Sequence, residues 1–183
     1  MNDYITTFSK THFTPTDPKP EDIHIEDIAH ALSMMARANG HFPEFYSVGQ
    51  HSVSCCEEAA ARGYTKRVQL ACLLHDASEA YLADITRPVK RCLPKYKAIE
   101  QVLQDRIFRK YLGEVSEEET RLWRRLDDVM LFHEFEHFMG ERLWESEEPL
   151  QSSPCYETEG FKRTEERFLA WFRKLEGETH GAD

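Results

Sequence analysis

Apolar residues recur at three- and four-residue steps over most of the chain after residue 24. The first series consists of Ile25, Ile28, Ala29, Leu32, Met35 and Ala36. This spacing places the side chains on one face of a helix. The pair Asn39 and Gly40 comes next and is of a kind that commonly ends helices. The pattern therefore predicts an amphipathic helix from Glu26 to this pair.

A second helix is predicted to begin at Ser47. Ser47 with Gln50 three residues later has the form of a capping box, in which each side chain bonds the backbone of the other residue. The helical pattern continues to Gly63, where the helix ends. His51 accordingly lies one turn into this helix.

The third predicted helix follows at once, with Thr65 as its cap. It carries the apolar residues Val68, Leu70, Ala71, Leu73 and Leu74. Because apolar residues surround it on nearly every side, we expect it to be the central and most buried helix. The prediction extends this helix through His75, Asp76 and Glu79.

Three further helices are predicted in the second half of the chain. A non-helical passage at 84–88 precedes a helix at 95–111. A second capping box, Ser116 with Glu119, then begins a long helix that reaches Met139. The segment 145–160 is polar and predicts a loop. The last helix is amphipathic, with Phe168, Leu169, Trp171, Phe172 and Leu175 on its apolar face.

No alternating pattern typical of strands runs for more than a few residues. Residues 1–24 are rich in proline and polar residues and predict an extended N-terminal arm. Residues 25–183 are of a length that fits one domain with a core of its own. The expected fold class is all-α, a single bundle of six or seven helices.

Cysteine usage and hydropathy indicate a cytoplasmic protein. The five cysteines are odd in number and no two have C-x-x-C spacing, so we interpret them as reduced. No apolar run approaches the roughly 18 residues that a membrane span requires, and the N-terminus has no signal-peptide pattern. We therefore expect no membrane partner.

The formal net charge of −10 disfavours a nucleic-acid polymer as a partner, because binding a duplex requires a basic surface. It does not disfavour a small phosphorylated substrate. A divalent cation and a few arginines can reverse the local field in an otherwise acidic protein.

Candidate metal ligands lie on three of the predicted helices. They are His51, the adjacent pair His75 and Asp76, and the distant Asp127. Two imidazoles and two carboxylates suit one divalent ion such as Mn, Co, Fe, Ni, Zn or Mg, and the sequence does not choose among them. With positions left open for water and a phosphoryl oxygen, such an ion could catalyse phosphoester hydrolysis.

Each of these residues, taken alone, is more often a hydrogen-bonded polar residue than a metal ligand. The position of His75 and Asp76 favours the metal, since the pair follows the apolar run 70–74 at the inner edge of the core. A carboxylate there is costly unless it is hydrogen-bonded or bound to a metal.

Other polar residues near this set are candidates for the chemistry. Glu79 lies one turn beyond His75 on the same predicted helical face, within reach of a water in the site. Asp84 follows in the non-helical passage. The cations suited to holding a phosphate are Arg37, Arg87 and Lys90. For each cation, a solvated surface charge is an equally good interpretation.

The order of these residues resembles that of the HD-domain superfamily of phosphohydrolases, and most closely its bacterial 5′-deoxynucleotidases. The likeness covers residues 25–140. It rests on Arg37, Ser47-Val-Gly-Gln-His51-Ser52, Leu74-His75-Asp76-Ala77-Ser78-Glu79-Ala80, Asp84-Ile-Thr-Arg-Pro88-Val89-Lys90 and Leu126-Asp127-Asp128. The His-Asp-Ala-Ser-Glu stretch, followed by Asp and Pro-Val-Lys, is its most specific part.

The resemblance implies an all-helical HD-domain fold with a bound divalent ion. The ligands it implies are His51, His75, Asp76 and Asp127. It further implies that Glu79 lies close to the attacking water and that Arg37 and Asp84 lie near the substrate. Asp128 adjoins Asp127 and stays open as the alternative ligand.

The predicted function is that of a metal-dependent phosphohydrolase acting on a small nucleotide, most simply as a (deoxy)nucleoside 5′-monophosphatase. Triphosphohydrolysis of deoxynucleoside triphosphates is an alternative within the same chemistry. A non-catalytic HD protein that binds a nucleotide is a further alternative. The aromatic C-terminal helix and the resemblance also allow a homodimer.

The long helix contains a second metal motif, the H-E-x-x-H sequence that begins at His133 and ends at His137. On a helix this motif can bind zinc in a metalloprotease, with the glutamate as general base. A protease would also need a third ligand downstream and an edge strand for the peptide, and the sequence predicts neither. We therefore interpret His133 and His137 as ordinary polar residues of the helix.

Overall fold

The computed structural model describes residues 3–145 and 147–179. Within these ranges the chain forms seven α-helices and one small hairpin of two strands. The helices are α1 (Ile25–Met34), α2 (Val48–Ala61), α3 (Lys66–Leu74), α4 (Arg87–Lys90), α5 (Pro94–Leu112), α6 (Glu117–Met139) and α7 (Phe161–Thr179). The all-α prediction is confirmed. Over the described part of the chain, every helix is too short or too polar to span a lipid bilayer.

Helix α3 lies at the centre of the fold, where it contacts α2, α5, α6 and α7. Its buried residues are Val68, Leu70, Ala71, Cys72, Leu73 and Leu74. Burial of one large aliphatic side chain contributes roughly 1.5–3 kcal/mol, so this short helix is a major part of the core. The prediction of a central third helix is confirmed.

Both predicted capping boxes are present. Ser47 Oγ accepts a hydrogen bond from the Gln50 backbone N–H at 3.0 Å, and Gln50 Oε1 accepts one from the Ser47 N–H at 3.2 Å. Ser116 and Glu119 form the same reciprocal pair at 3.1 and 2.8 Å. The boxes fix the first turns of α2 and α6, the two helices that carry His51 and Asp127.

Helix α1 ends at Met34, before its predicted stop at 39–40. The backbone is then extended and pairs with the segment that leads into α2. Two hydrogen bonds close this pairing, from Val48 N–H to Met35 O at 3.0 Å and from Arg37 N–H to Tyr46 O at 2.9 Å. The helix therefore stops because its backbone groups find partners in a neighbouring segment, which local sequence does not report.

A left-handed turn follows Arg37. Ala38 and Asn39 both have a φ of 52°, and Gly40 has a φ of 74°. Glycine and asparagine tolerate this region, but it costs alanine roughly 1–2 kcal/mol per residue. The surrounding contacts therefore hold this turn in place against the preference of Ala38.

Helix α3 ends at Leu74, so the prediction that it continues through Glu79 is wrong. His75 caps the helix, Asp76 leaves helical geometry at φ −99° and ψ 11°, and Ala77–Ala80 form a 3-10 turn. Because the backbone changes direction here, two adjacent side chains can reach the same point. The passage at 84–88, which was predicted to be non-helical, is helical from Arg87, where the short helix α4 begins.

The N-terminal arm is not wholly extended. It contains an antiparallel hairpin of β1 (Ile5–Thr6) and β2 (His12–Phe13), which is too short to leave a pattern in the sequence. Phe13 is fully buried in the core, and Asp27 of α1 accepts hydrogen bonds from the backbone and the hydroxyl of Ser9 at 2.6 and 2.9 Å. The described part of the arm thus packs on the helical domain.

Candidate metal centre and substrate cleft

The four predicted ligands converge where α2, α6 and the end of α3 meet. His51 Nε2 lies 3.2 Å from His75 Nε2, 3.2 Å from Asp127 Oδ1 and 3.9 Å from Asp76 Oδ2. His75 Nε2 lies 3.2 Å from Asp76 Oδ2 and 3.7 Å from Asp127 Oδ1. Both imidazoles are buried, and the side chains of the two aspartates are 19% exposed.

The Nδ1 atom of each imidazole already has a partner. His51 Nδ1 is 2.6 Å from Glu134 Oε1, and His75 Nδ1 is 2.7 Å from the carbonyl oxygen of Cys72. Since carboxylate and carbonyl oxygens only accept hydrogen bonds, we assign the ring hydrogen to Nδ1 in both residues. The two Nε2 lone pairs then face each other and two carboxylates, an arrangement that requires a positive charge between them.

The spacing of these donor atoms fits a divalent ion. Bonds of about 2.0–2.2 Å place neighbouring nitrogen and oxygen ligands roughly 3.0–3.5 Å apart. Three of the five separations above are 3.2 Å, and the other two, at 3.7 and 3.9 Å, are slightly longer. The mixed nitrogen and oxygen set also matches the ions that the sequence suggests.

Electrostatic interactions keep both aspartates ionised. Burial would raise the pKa of Asp127, but hydrogen bonds from His51 and His75, made when their rings carry a second proton, lower it well below the usual value. Burial would also raise the pKa of Asp76, yet the charge of His75 lowers it. Burial would lower the pKa of His75, but the charge of Asp76 and bonding to Asp127 raise it well above its usual value. The cluster is therefore an anionic site that attracts a proton or a metal ion.

Of the two adjacent aspartates, Asp127 is the one that faces the cluster. The Asp128 side chain is 46% exposed and accepts a hydrogen bond from Arg87 Nη1 at 2.8 Å. The same guanidinium donates from Nη2 to Asp127 Oδ2 at 2.8 Å, which leaves Asp127 Oδ1 directed at the histidines. The geometry favours Asp127 over Asp128 as a ligand.

A buried thiol lies beside the histidines. Cys55 Sγ is close enough to His51 and His75 for the three side chains to form a metal-binding group. It lies 3.6 Å from His51 Nε2 and 3.9 Å from His51 Nδ1. These nearly equal distances place the sulfur beside the ring and away from the direction of the Nε2 lone pair, and burial raises the pKa of the thiol well above its usual value. In the metal-free protein, Cys55 therefore packs against the His51 ring as a protonated thiol.

Glu134 is a site residue that the sequence analysis missed. It lies on α6, its side chain is fully buried, and its two oxygens bond His51 Nδ1 at 2.6 Å and Arg37 Nε at 2.8 Å. Burial would raise its pKa, but the charges of Arg37 and His51 lower it. A signal was present, since Glu134 follows Asp127 by seven residues and so lies on the same helical face two turns later.

The two histidines of the H-E-x-x-H motif have separate partners. His133 Nε2 bonds the backbone oxygen of Glu148 at 2.9 Å, and the His137 ring stacks on Tyr156 with centroids 4.3 Å apart. Neither is near a third metal-binding side chain among the described residues. The geometry therefore supports the interpretation of both as ordinary polar residues of the helix.

A cleft of about 570 Å³ opens beside the four candidate ligands. The predicted site residues that line it are Arg37, His75, Asp76, Glu79, Asp84, Arg87, Lys90 and Asp127. His51 is fully buried behind them. Part of the remaining wall is apolar and comes from Leu131 and Phe135 of α6 and from Leu143. Pockets that take small molecules commonly have 300–1,000 Å³ and a largely apolar lining.

Glu79 is a buried residue of the cleft wall with unfilled bonding capacity. Its Oε1 accepts a hydrogen bond from Lys90 at 3.3 Å, while the buried Oε2 has no partner among the described residues. Burial, together with the charges of Asp76 and Asp84, raises the pKa of Glu79 well above its usual value. Burial likewise raises the pKa of Asp84. Their raised pKa values make these two carboxyl groups candidates for proton transfer in the cleft.

The three predicted cations lie along the same cleft. Arg37 is the most buried of the three, with Nη1 3.6 Å from Asp76 and Nη2 3.7 Å from Asp127. Arg87 is half exposed and bonds both aspartates of α6. Lys90 Nζ lies 2.6 Å from Glu100 and 3.3 Å from Glu79. Arg37 thus differs from the other two cations in being buried and in being held by the buried Glu134.

Comparison with known proteins adds a family assignment. A family model described as an HD domain matches residues 45–148, more than half of the chain. The uncharacterized protein YfdR of Escherichia coli K12 is 42% identical over 108 residues, which are 59% of this chain and 58% of YfdR. An uncharacterized protein of Rhodobacter capsulatus is 49% identical over 84 residues, which are 43% of this chain and 42% of that protein. The chain thus matches about half the length of these curated relatives.

Proposed function

The chain belongs to the HD-domain family, a superfamily of metal-dependent phosphohydrolases, and from this premise we propose that it hydrolyses the phosphoester of a nucleoside 5′-monophosphate. One observation carries the proposal. Four candidate metal ligands converge at the wall of a cleft that also presents an arginine and a buried carboxylate oxygen without a partner among the described residues. Metal, phosphate and water each have a complementary group there.

The residues of the chain have distinct proposed roles. A divalent ion held by His51, His75, Asp76 and Asp127 would supply the charge that polarises a phosphoryl oxygen and lowers the pKa of a water. Arg37 would bind the phosphate and neutralise the charge that develops on it. Glu79 would accept a hydrogen bond from the attacking water through its free Oε2 and take up the proton. Asp84, which lies beside Glu79 in the cleft, would contact the substrate and keep the pKa of Glu79 raised.

Arg87 and Lys90 would contact the substrate at the open part of the cleft. Their terminal nitrogens donate to carboxylates at 2.6–3.3 Å, whereas the Nη atoms of Arg37 lie 3.6 and 3.7 Å from the nearest ones. We therefore expect Arg87 and Lys90 to contribute less to phosphate binding than Arg37 does. The apolar wall formed by Leu131, Phe135 and Leu143 is the reason for proposing a nucleoside as the rest of the substrate, because a flat base can pack against it. A cleft of about 570 Å³ suits a molecule of this size.

The test is a panel of nucleotides assayed with several divalent ions. We expect release of inorganic phosphate from monophosphates such as dAMP. The variants His75→Ala and Asp76→Ala should lose bound metal and activity together, measured by elemental analysis and phosphate release. Turnover by a metal-free variant would refute the proposal. Triphosphate released from dATP would instead identify a triphosphohydrolase, and a metal-loaded protein inert toward every phosphoester would identify a nucleotide-binding protein.

A further inference from the structure

We propose that Glu134 is a positioning residue that fixes His51 for metal binding and Arg37 for phosphate binding through one buried carboxylate. The part concerning Arg37 rests on the proposed function, while the part concerning His51 rests only on metal binding. Glu134 belongs to the H-E-x-x-H sequence of α6, whose histidines have other partners. The motif thus contributes its glutamate to a different metal site from the one its sequence suggests.

The geometry joins three side chains from three parts of the fold. Glu134 Oε1 accepts from His51 Nδ1 of α2 at 2.6 Å, and Oε2 accepts from Arg37 Nε, in the turn after α1, at 2.8 Å. Glu134 and His51 are both fully buried. Because no solvent reaches Glu134, water cannot replace it as the acceptor for either group.

For His51, this hydrogen bond determines which nitrogen is available to a metal. A carboxylate cannot donate, so Nδ1 keeps the ring hydrogen and Nε2 keeps a free lone pair. That lone pair faces His75 Nε2 and Asp127 Oδ1, each at 3.2 Å. A carboxylate on the outer nitrogen also orients the ring and increases its basicity as a ligand.

For Arg37, the same carboxylate binds Nε and leaves both terminal nitrogens directed toward the candidate metal ligands. Nη1 and Nη2 lie 3.6 and 3.7 Å from Asp76 and Asp127, next to the donor cluster. A guanidinium held by its Nε edge keeps its plane and direction. Glu134 therefore sets the distance between the phosphate-binding cation and the metal ligands.

Helix α6 carries Glu134 and Asp127 in one register. Their separation of seven positions amounts to nearly two helical turns, so both side chains project from the same face. One rigid helix thus supplies a ligand directly and orients a second ligand and a cation through Glu134. A purely structural ion pair between Glu134 and Arg37 would not involve the ligand His51, and this difference makes the proposal testable.

The test compares Glu134→Gln with Glu136→Gln, a matched substitution on the same helix. Glu136 is 37% exposed, bonds Arg142 at 2.6 Å and does not line the cleft. Glutamine has nearly the shape of glutamate but only one acceptor oxygen. Because Arg37 always carries a hydrogen on Nε, whereas a neutral imidazole can move its own, the amide oxygen would accept from Arg37. The NH₂ group would then face Nδ1 of His51 and drive the ring hydrogen to Nε2.

The first readout is Mn²⁺ affinity, measured by calorimetry on protein stripped with a chelator. We expect Glu134→Gln to bind Mn²⁺ roughly 10- to 100-fold more weakly than the wild type, and Glu136→Gln to bind it as the wild type does. A merely structural role would lower the unfolding temperature of Glu134→Gln and leave its Mn²⁺ affinity unchanged. That outcome would overturn the proposal.

The second readout is the tautomer of His51, obtained from imidazole ¹⁵N chemical shifts. In the metal-free wild-type protein at a pH where the ring is neutral, we expect the hydrogen on Nδ1. Finding it on Nε2 would overturn the proposal even if Glu134→Gln does not fold. If the wild type hydrolyses no nucleotide but Mn²⁺ affinity depends on Glu134, the proposed function fails while the assignment of Glu134 to His51 stands.

Discussion

Glu58, near the end of α2, and Glu79, in the turn after α3, are both buried carboxylates with different surroundings. Glu58 accepts hydrogen bonds from the backbone of Gln151 at 3.0 Å, from the backbone and hydroxyl of Ser152 at 2.8 and 2.6 Å, and from Arg62 at 2.6 Å. Glu79 accepts one from Lys90 at 3.3 Å, and its second oxygen has no partner among the described residues.

The pKa values of the two groups move in opposite directions. Burial would raise the pKa of Glu58, but the hydrogen bonds from Ser152, Gln151 and Arg62 lower it below the usual value. Burial and the neighbouring aspartates raise the pKa of Glu79. A buried carboxylate with all its bonds made fastens two chain segments together. A buried carboxylate with one unbonded oxygen lowers the stability of the fold but can accept a hydrogen bond from a ligand.

The largest expected effect is a loss of catalytic activity when Glu79, but not Glu58, is replaced by glutamine. If Glu79 serves the reaction, Glu79→Gln should lower kcat by roughly 10²–10⁴-fold, because an amide does not take up the proton. The free energy of unfolding should not fall, since burial and the neighbouring aspartates disfavour the carboxylate charge that the amide lacks. Phosphate release and urea unfolding on one preparation check both parts. Full activity in this variant would exclude the role of Glu79.

The next effect concerns stability. Glu58→Gln should lower the free energy of unfolding by about 1–3 kcal/mol, since the amide NH₂ faces backbone donors that then lack an acceptor. Glu58 lies outside the cleft, so kcat should stay at the wild-type value. Urea denaturation with a parallel activity assay checks this. A loss of activity without a loss of stability would contradict the contrast between the two glutamates.

The smallest effect is a difference in pH dependence. An unfolded glutamate titrates near pH 4.3. The folded pKa of Glu58 lies lower, so the stability advantage of wild type over Glu58→Gln is present above about pH 4.3 and is lost as pH falls through the folded pKa. The folded pKa of Glu79 lies higher, so wild type loses stability relative to Glu79→Gln as pH rises from about 4.3 to that value. Urea unfolding from pH 3 to 8, in EDTA, measures both trends, and parallel trends would refute this assignment.

Local sequence predicts the helices that begin with their own signals. Ser47 with Gln50 and Ser116 with Glu119 satisfy backbone groups within three residues, so no other part of the chain is needed to start α2 or α6. The apolar series of α3 likewise predicts its central position. These helices carry His51 and Asp127 or lead into His75, which is why the sequence could indicate the convergence of the candidate ligands.

Interactions between distant segments of the chain determine the features of the fold and of the site that the sequence did not predict. Met35 and Arg37 leave the helix because Tyr46 and Val48 offer backbone partners. Glu134 finds His51 and Arg37 far away in the chain, and its helical register with Asp127 was the only local indication. The partners of Glu58 at 151–152 lie within the polar segment 145–160, which has no helical or alternating pattern, so nothing in the sequence pairs them with Glu58.

The backbone pairing that fastens Met35 and Arg37 to Tyr46 and Val48 bears on how proteins of this kind can diverge. A loop whose two ends are tied can change in length or composition at small cost, because closure entropy grows slowly with length. Ala38 lies inside this loop and lines the cleft, while Arg37 lies at the tied end. A change at Ala38 would therefore reshape the wall of the pocket and leave Arg37 and the donor cluster where they are. New substrate preferences can arise in this way without rebuilding the reactive centre.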